Sequence, residues 1–131
     1  EELLDTLFRL EEQMKRFPSL KKNSEFQTVY RTGKSYANKY LVMYAVNTGS
    51  DRTRIGISVS KKVGNSVVRH HFVRLVREAF RLNGDILKSG YDIIVVARAA
   101  AKDKKLDKIE SAFLHLCGLH NILENRSERF D

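Results

Sequence analysis

Residues 36–46, YANKYLVMYAV, are apolar on both of the faces that a β-strand would present. Aromatic and β-branched residues are typical of strands, in which successive side chains point to opposite faces of the sheet. One face would carry Tyr40, Val42, Tyr44 and Val46, and the other Leu41, Met43 and Ala45. A strand with only one covered face should alternate apolar and polar residues more cleanly. We therefore predict a strand with one face in the core and a second apolar face that could hold an apolar ligand group.

Four other segments show the periodicity of strands or helices. Residues 54–60 alternate apolar and polar side chains, and residues 91–97 form a continuous apolar run, so both are predicted to be strands. Residues 65–82 and 106–123 place apolar side chains at helical spacing and are predicted to be amphipathic helices. Strands and helices in this irregular order predict an α+β sandwich.

A shorter helix is predicted over residues 21–30. Asn23 or Ser24 is a suitable N-cap, and Gly33 is expected to end the helix. Phe26, Val29 and Tyr30 share its apolar face.

The first residues differ in composition from the rest of the chain. Residues 1–13 hold five of the 16 acids and a single base, and they precede Met14. They are either a non-native or extra N-terminal helical extension, or part of an ordinary first helix over residues 3–17. Residues 14–123 are predicted to form one domain, because a chain of this length needs no second core. Residues 124–131 are predicted to be a polar tail.

Cysteine content and hydropathy narrow the class of protein. Cys117 is the only cysteine, which excludes an internal disulfide and a zinc site built on several cysteines. The longest apolar run, residues 40–46, is seven residues, far below the roughly 20 that span a bilayer. We therefore expect a cytoplasmic protein without a membrane partner.

The charge predicts an anionic partner. Lys and Arg number 24 against 16 Asp and Glu, and residues 52–81 hold eight bases and one acid. The turn around Lys61 and Lys62 leads into a helix start, where free N–H groups and the helix dipole favour phosphate. A line of residues one turn apart follows on that helix: His70, Arg74, Arg77 and Arg81. Arginine binds phosphate in a bidentate manner, so nucleic acid is predicted, with a merely solvated basic face as the alternative.

The histidines do not form a recognisable catalytic or metal centre. His70 and His71 are neighbours, and neighbours on a helix point about 100° apart, which is unsuited to clamping one phosphate. The spacings among His115, Cys117 and His120 do not match the helical spacing of metal ligands. We expect no catalytic residue and no metal ligand in this chain.

Aromatic residues could supply a base-stacking surface. Phe26 and Tyr30 on the short helix and Tyr44 on the strand could converge on the second apolar face. Aromatic side chains stack on single-stranded bases, contributing about 1–3 kcal/mol per base. Plain core packing is the alternative.

Three quoted segments together resemble one family. LKKNSEFQTVYRTGKSYANKYLVMY, RIGISVSKKVGNSVVRHHFVRLVREAF and YDIIVVARAAA are similar, in this order, to the bacterial ribonuclease P protein component. The resemblance runs from about Leu20 to Leu123, and residues 1–13 lie outside it. It implies a two-layer αβ sandwich of order αβββαβα with a left-handed βαβ crossover, of the kind found in ribosomal protein S5 domain 2.

The resemblance also implies a function. It predicts the protein subunit of a ribonucleoprotein endonuclease that removes the 5′ leader of precursor tRNA. Ribonuclease P RNA and precursor tRNA would be the partners, with no obligate protein partner. Magnesium, held mainly by the RNA subunit, would serve the hydrolysis. A general RNA-binding or ribosome-assembly protein is the alternative, and a nuclease active by itself is a third class.

Site residues follow from the resemblance by position. Binding of the leader is implied for Phe26, Tyr30, Tyr44, Lys61, Lys62 and Asn65. Contact with the RNA subunit is implied for Arg69, His70, His71, Arg74, Arg77 and Arg81.

The chain departs from the family pattern at the start of the basic helix. The usual signature is Arg-Asn-Arg, any residue, then Lys-Arg, whereas this chain has RHHFVR. His70 replaces Asn, His71 replaces Arg and Val73 replaces Lys. Arg69 and Arg74 keep the family residue, so the departure affects above all the roles of the two histidines.

Overall fold

A computed structural model describes residues 19–124 of the chain. The helices are α1 (Asn23–Thr32), α2 (Ser66–Leu82) and α3 (Leu106–Leu119), and the strands are β1 (Lys34–Ala37), β2 (Leu41–Asn47), β3 (Arg54–Ser58) and β4 (Tyr91–Ala97). Short 3₁₀ turns span Gly84–Ile86 and Ala99–Ala101. This order confirms the αβββαβα prediction. The predicted helix over 3–17, the extension over 1–13 and the tail after residue 124 lie outside the described residues.

The four strands form one mixed sheet in the order β1-β2-β4-β3. β2 pairs antiparallel with β1 and with β4, while β3 and β4 run parallel. Parallel neighbours need a crossover connection, and α2 lies within it. The α+β fold class is confirmed.

The prediction of one strand over residues 36–46 is wrong, because the segment is a hairpin. The side-chain oxygen of Asn38 accepts hydrogen bonds from the N–H groups of Tyr40 and Leu41, at 3.2 and 3.0 Å, and so turns the chain. Tyr40 therefore leaves the strand and packs against the core instead of sharing a face with Tyr44.

Two predicted helix ends also need correction. α1 begins at Asn23 with Lys22 as its N-cap, because the Glu25 carboxylate accepts hydrogen bonds from the N–H groups of Lys21 and Lys22. Gly33 ends α1 as predicted. α3 stops at Leu119, four residues before the predicted end, and the chain then turns through Asn121 at φ 59°. Local hydrogen bonds determine where both helices begin or end. The spacing of apolar residues along the sequence carries no information about those bonds.

One face of the sheet, here called the core face, packs against α2 and α3. β2 contributes Leu41, Met43 and Ala45, and β4 contributes Ile93 and Val95. The two helices contribute Phe72, Val76, Ala79, Phe80, Ile109, Ala112, Phe113, Leu116 and Cys117. Within residues 19–124, the opposite face, here called the cleft face, packs against α1 and against Leu20, which precedes that helix.

Candidate RNA interface

The three predicted aromatic residues meet on the cleft face. The ring centroids of Phe26 and Tyr30 are 6.4 Å apart, and those of Tyr30 and Tyr44 are 4.9 Å apart with an edge-to-face geometry. All three side chains are only partly buried. The predicted convergence is confirmed, and the exposed parts of the rings form an aromatic wall.

α1 covers only part of the cleft face. Val29 packs with the fully buried Ile94 in the middle of the sheet. The next pair on this face toward one edge, Val42 and its β4 neighbour Val96, stays partly exposed. An apolar strip therefore remains open beside the aromatic wall, and together they form the aromatic cleft.

Gly56 allows the wall to lie against the sheet. A Cβ atom at this position would be 2.7 Å from the Cζ atom of Phe26 and 3.2 Å from Cδ1 of Leu20. The ring of Phe26 thus occupies the space that any side chain on this part of β3 would fill. The alternation of residues 54–60 predicted a strand here but does not report that a ring from α1 covers Gly56.

An ion-pair network fixes α1 to the sheet. Arg54 of β3 donates to both carboxylate oxygens of Asp92 at 3.0 and 2.8 Å, and a third nitrogen donates to Glu25 of α1 at 2.5 Å. The N–H groups of Lys22 and Lys21, together with Arg54, lower the pKa of Glu25 to about 2. One arginine therefore joins a central strand, an edge strand and the helix that carries the aromatic wall.

This network corrects one feature of the charge prediction. Arg54 was counted among the eight bases available to a polyanion, but its guanidinium is bound to two carboxylates of the same chain. Sequence reasoning also missed Asp92, although a lone carboxylate inside an otherwise apolar strand is a signal for a buried partner.

The start of α2 is capped from within the chain. The side-chain oxygen of Asn65 accepts a hydrogen bond from the N–H group of Val68 at 3.0 Å, so Asn65 is the N-cap of α2. That N–H group is therefore already bonded, contrary to the expectation of free N–H groups throughout this turn. Lys61 and Lys62 are exposed in the preceding loop, which leaves the C-terminal end of β3.

The basic residues of α2 fall into two groups by exposure. His70, His71, Arg74 and Arg81 are exposed, whereas Arg69 and Arg77 are half-buried. Burial lowers the pKa of Arg77. Arg81 forms an ion pair with Glu78 at 2.5 Å, so part of its charge is balanced within the helix. The exposed line on α2 is thus shorter than the sequence predicted, because Arg77 is half-buried and the charge of Arg81 is partly balanced by Glu78.

Cys117 on α3 and His120, which directly follows α3, lie in structural positions. Burial raises the pKa of the Cys117 thiol to about 12. His120 lies 2.8 Å from the carbonyl oxygen of Met43 through Nε2, and burial lowers its pKa. Within residues 19–124, no three His, Cys, Asp or Glu side chains are grouped so that they could hold a metal ion. In the same part of the chain, no helix has the length and apolar character needed to cross a membrane.

Comparison with known proteins identifies the family. The sequence model of the family described as Ribonuclease P matches residues 14–120. The chain belongs to the ribonuclease P protein family. The match begins at Met14, and the three segments that carried the sequence resemblance lie within it.

Individual members of the family are similar over most of their length. The ribonuclease P protein component of Lachnoclostridium phytofermentans is 55% identical over 107 residues, which cover 82% of this chain and 92% of the relative. The component from Clostridioides difficile is 49% identical over 102 residues, covering 77% and 90%.

Solved structures of the family have the same fold. The Staphylococcus aureus RNase P protein superimposes with a TM-score of 0.76 at 37% identity, covering 83% of this chain and 100% of that one. The Thermotoga maritima RNase P protein gives a TM-score of 0.70 at 30% identity, covering 75% and 93%.

Proposed function

We propose that this protein acts as the protein subunit of ribonuclease P in the cytoplasm, where it binds ribonuclease P RNA and the 5′ leader of precursor tRNA. The observation that carries the proposal is the open aromatic cleft next to a basic helix, in a member of the ribonuclease P protein family. The leader would lie in the aromatic cleft, and α2 would face the RNA subunit.

The aromatic cleft suits single-stranded RNA for a physical reason. Unpaired bases expose flat apolar faces, which the rings of Phe26, Tyr30 and Tyr44 can stack against or border. The strip formed by Val42 and Val96 supplies an apolar floor. A duplex keeps its bases stacked on one another, so the aromatic cleft favours a leader strand over a helix. Lys61, Lys62 and Asn65 follow β3 at one end of this face and would meet the leader's phosphates.

α2 suits a folded RNA backbone. His70, His71 and Arg74 are exposed on its surface, and Arg69, Arg77 and Arg81 lie on the same helix. Guanidinium groups neutralise phosphates and release counterions, which makes such binding dependent on salt. We propose these six residues as the contact with ribonuclease P RNA.

The hydrolysis itself is assigned to the RNA subunit. Within residues 19–124, no three His, Cys, Asp or Glu side chains are grouped so that they could hold the metal ion for the reaction. Magnesium bound mainly by the RNA would supply the metal chemistry. The protein's own residues would bind and orient the leader so that the scissile phosphate meets the RNA.

Reconstitution tests the proposed function. Precursor tRNA is incubated with a bacterial ribonuclease P RNA at low magnesium, with and without this protein. We expect the protein to increase the rate of leader removal and to have no cleavage activity alone. Absence of stimulation would refute the subunit assignment, and cleavage by the protein alone would identify a nuclease of its own.

A matched pair of tyrosine variants tests the assignment of the aromatic cleft. Tyr44→Ala should weaken binding of leader-bearing precursor by about 1–3 kcal/mol while leaving leaderless tRNA unchanged. Tyr36→Ala removes an exposed tyrosine from the other face of the sheet and should change neither. Equal losses for both RNAs would point to a general RNA-binding protein without a role specific to the leader.

A further inference from the structure

One edge of the sheet collects positive charge outside α2 and the aromatic cleft. The start of β2 pairs with the end of β4 there, Leu41 with Ala97, and the end of β3 joins them where Ser58 pairs with Val96. The segment that leaves β4 at this edge holds four bases and one acid: Arg98, Lys102, Asp103, Lys104 and Lys105. The β1–β2 turn adds Lys39 at the same edge.

Two of these lysines share a single aromatic ring. The ammonium nitrogens of Lys39 and Lys104 lie 5.6 and 6.0 Å from the ring centroid of Tyr40. The ring attracts each cation, but two cations held near one ring repel each other. None of the ion pairs formed within residues 19–124 involves either lysine. A bound anion would relieve this repulsion.

The turn that carries Lys39 and Tyr40 is held from three sides. The Asn38 side chain accepts from the N–H groups of Tyr40 and Leu41, and its amide donates to the Ala112 carbonyl of α3 at 2.9 Å. Arg98 donates from its guanidinium to the Asn38 carbonyl at 2.7 Å. The position of the ring is therefore fixed before any ligand arrives, which lowers the entropy cost of binding.

The loop that follows β4 holds Lys104 in position. Asp103 has φ 62°, the left-handed conformation that aspartate tolerates, and the N–H of Lys104 donates to the carbonyl of Ala101 at 3.2 Å. Ala101 is buried in the core. The loop thus has a defined path that brings Lys104 back to Tyr40.

We propose that Lys39, Tyr40, Arg98 and Lys104, here called the sheet-edge cluster, bind a phosphate of the leader strand as it leaves the aromatic cleft. Val96, on the open floor of the aromatic cleft, is two residues from Arg98, about 7 Å along an extended chain. A strand lying on this floor would therefore bring its next phosphate to Arg98. Tyr40 and its two lysines lie beyond Arg98, on the side of the sheet that packs against the core, so the strand would turn around this end of the sheet to meet them. The inference rests on the proposed function, because it assigns the bound strand to the leader.

A charge-matched pair of double variants tests the sheet-edge cluster in the reconstituted ribonucleoprotein. Lys39→Gln with Lys104→Gln removes both ring-bound ammonium groups. Lys34→Gln with Lys88→Gln removes the same charge from the opposite edge of the sheet. Binding of precursor tRNA is measured over a salt series, with one leader that ends inside the aromatic cleft and one that extends beyond the edge.

With the longer leader, the sheet-edge variant should bind several-fold more weakly, and the salt slope should fall by about 0.7, the value for one phosphate of a single strand. The shorter leader and the control variant should show no change, and Lys39→Arg with Lys104→Arg should retain the wild-type slope. An equal loss with both leaders, or an equal loss in the control, would refute the assignment.

The two proposals fail in different ways. If wild-type protein does not distinguish leader-bearing from leaderless RNA, the proposed function is wrong. If wild-type protein does distinguish them and the sheet-edge variant matches wild type with the longer leader, only the sheet-edge cluster is wrong. If the variant loses affinity for the RNA subunit in the absence of precursor tRNA, the phosphate belongs to that RNA and the leader assignment is refuted.

Discussion

The two faces of the sheet are built from the same kinds of residue but are used differently. On the core face, Leu41, Met43, Ile93 and Val95 are fully buried beneath two helices of 17 and 14 residues. On the cleft face, one helix of 10 residues covers Ile94 and leaves its neighbours partly exposed. Apolar composition therefore shows that both faces need to be covered. The number and length of the helices on each face determine how much apolar surface stays exposed and available to a ligand.

The two faces also differ in what holds their helices. α2 and α3 are held by close-packed apolar side chains. α1 adds the Glu25–Arg54–Asp92 network to a smaller apolar contact. A polar tie fixes the orientation of a short helix where the apolar area alone is small, so the aromatic wall keeps its place without closing the aromatic cleft.

The largest expected effect is on the core face. Phe113→Ala should lower the free energy of unfolding by about 3–5 kcal/mol, because the ring is fully buried and leaves a cavity. Tyr44→Ala on the cleft face should cost no more than about 2 kcal/mol, since its side chain is partly exposed. Urea unfolding measures both losses of free energy, provided that the free energy of unfolding falls with urea concentration at the same slope in each variant. Equal losses of unfolding free energy in the two variants would contradict the difference in burial between the core face and the cleft face.

The next largest effect is expected when the Glu25–Arg54–Asp92 network that fixes α1 is broken. Arg54→Met should cost about 1–3 kcal/mol of unfolding free energy, a value reduced for partial exposure, because Asp92 and Glu25 keep their charges without the guanidinium. Arg52→Met, at an exposed position two residues earlier, is the control and should be nearly neutral. A loss no larger than that of the control would show that packing alone holds α1.

A smaller change sharpens the role of the aromatic wall. Gly56→Ala places a methyl group against the Phe26 ring and should cost about 1–2 kcal/mol of stability, the lower part of the range for overpacking. Binding of leader-bearing precursor should weaken as the ring shifts. Gly84→Ala, where nothing lies within 4 Å of the added carbon, serves as the control. Unchanged leader binding would show that the position of Phe26 is not critical.

The smallest effect is a dependence on pH. The pKa of Glu25 is about 2 in the folded chain against an ordinary value of 4.5, so the unfolded chain takes up the proton first as pH falls. The stability that Glu25 contributes is therefore complete above pH 4.5 and is lost between 4.5 and about 2. Glu25→Gln should show a shallower loss of stability over this interval in thermal unfolding, and identical profiles would contradict the tie.

Several elements could be read from residue patterns because they depend on local chemistry. The apolar period of α2 and the uninterrupted apolar run of β4 lie in neighbouring residues, and both were predicted. The β1–β2 hairpin was missed because its turn depends on one side chain, Asn38, within a segment that otherwise reads as continuous strand.

The candidate site was predictable in its residue types and only partly in its geometry. Phe26, Tyr30 and Tyr44 were expected to converge, since one helix face and one strand face carry them. The ion pairs of Arg54 with Asp92 and Glu25 were not expected, because these partners are 38 and 29 residues away in the sequence. The ring position over Gly56 likewise depends on how α1 crosses the sheet.

The sequence by itself determined the fold class, the family, the basic character of α2 and the presence of an apolar surface larger than the core needs. Tertiary structure alone decided which charges remain for a partner and which apolar residues stay open. Arg54 and Lys39 are both basic residues of one chain, but one faces two carboxylates and the other faces Tyr40 and a second cation. The reason is that charge pairing and burial depend on distances between elements, and those distances are set only when the helices pack against the sheet.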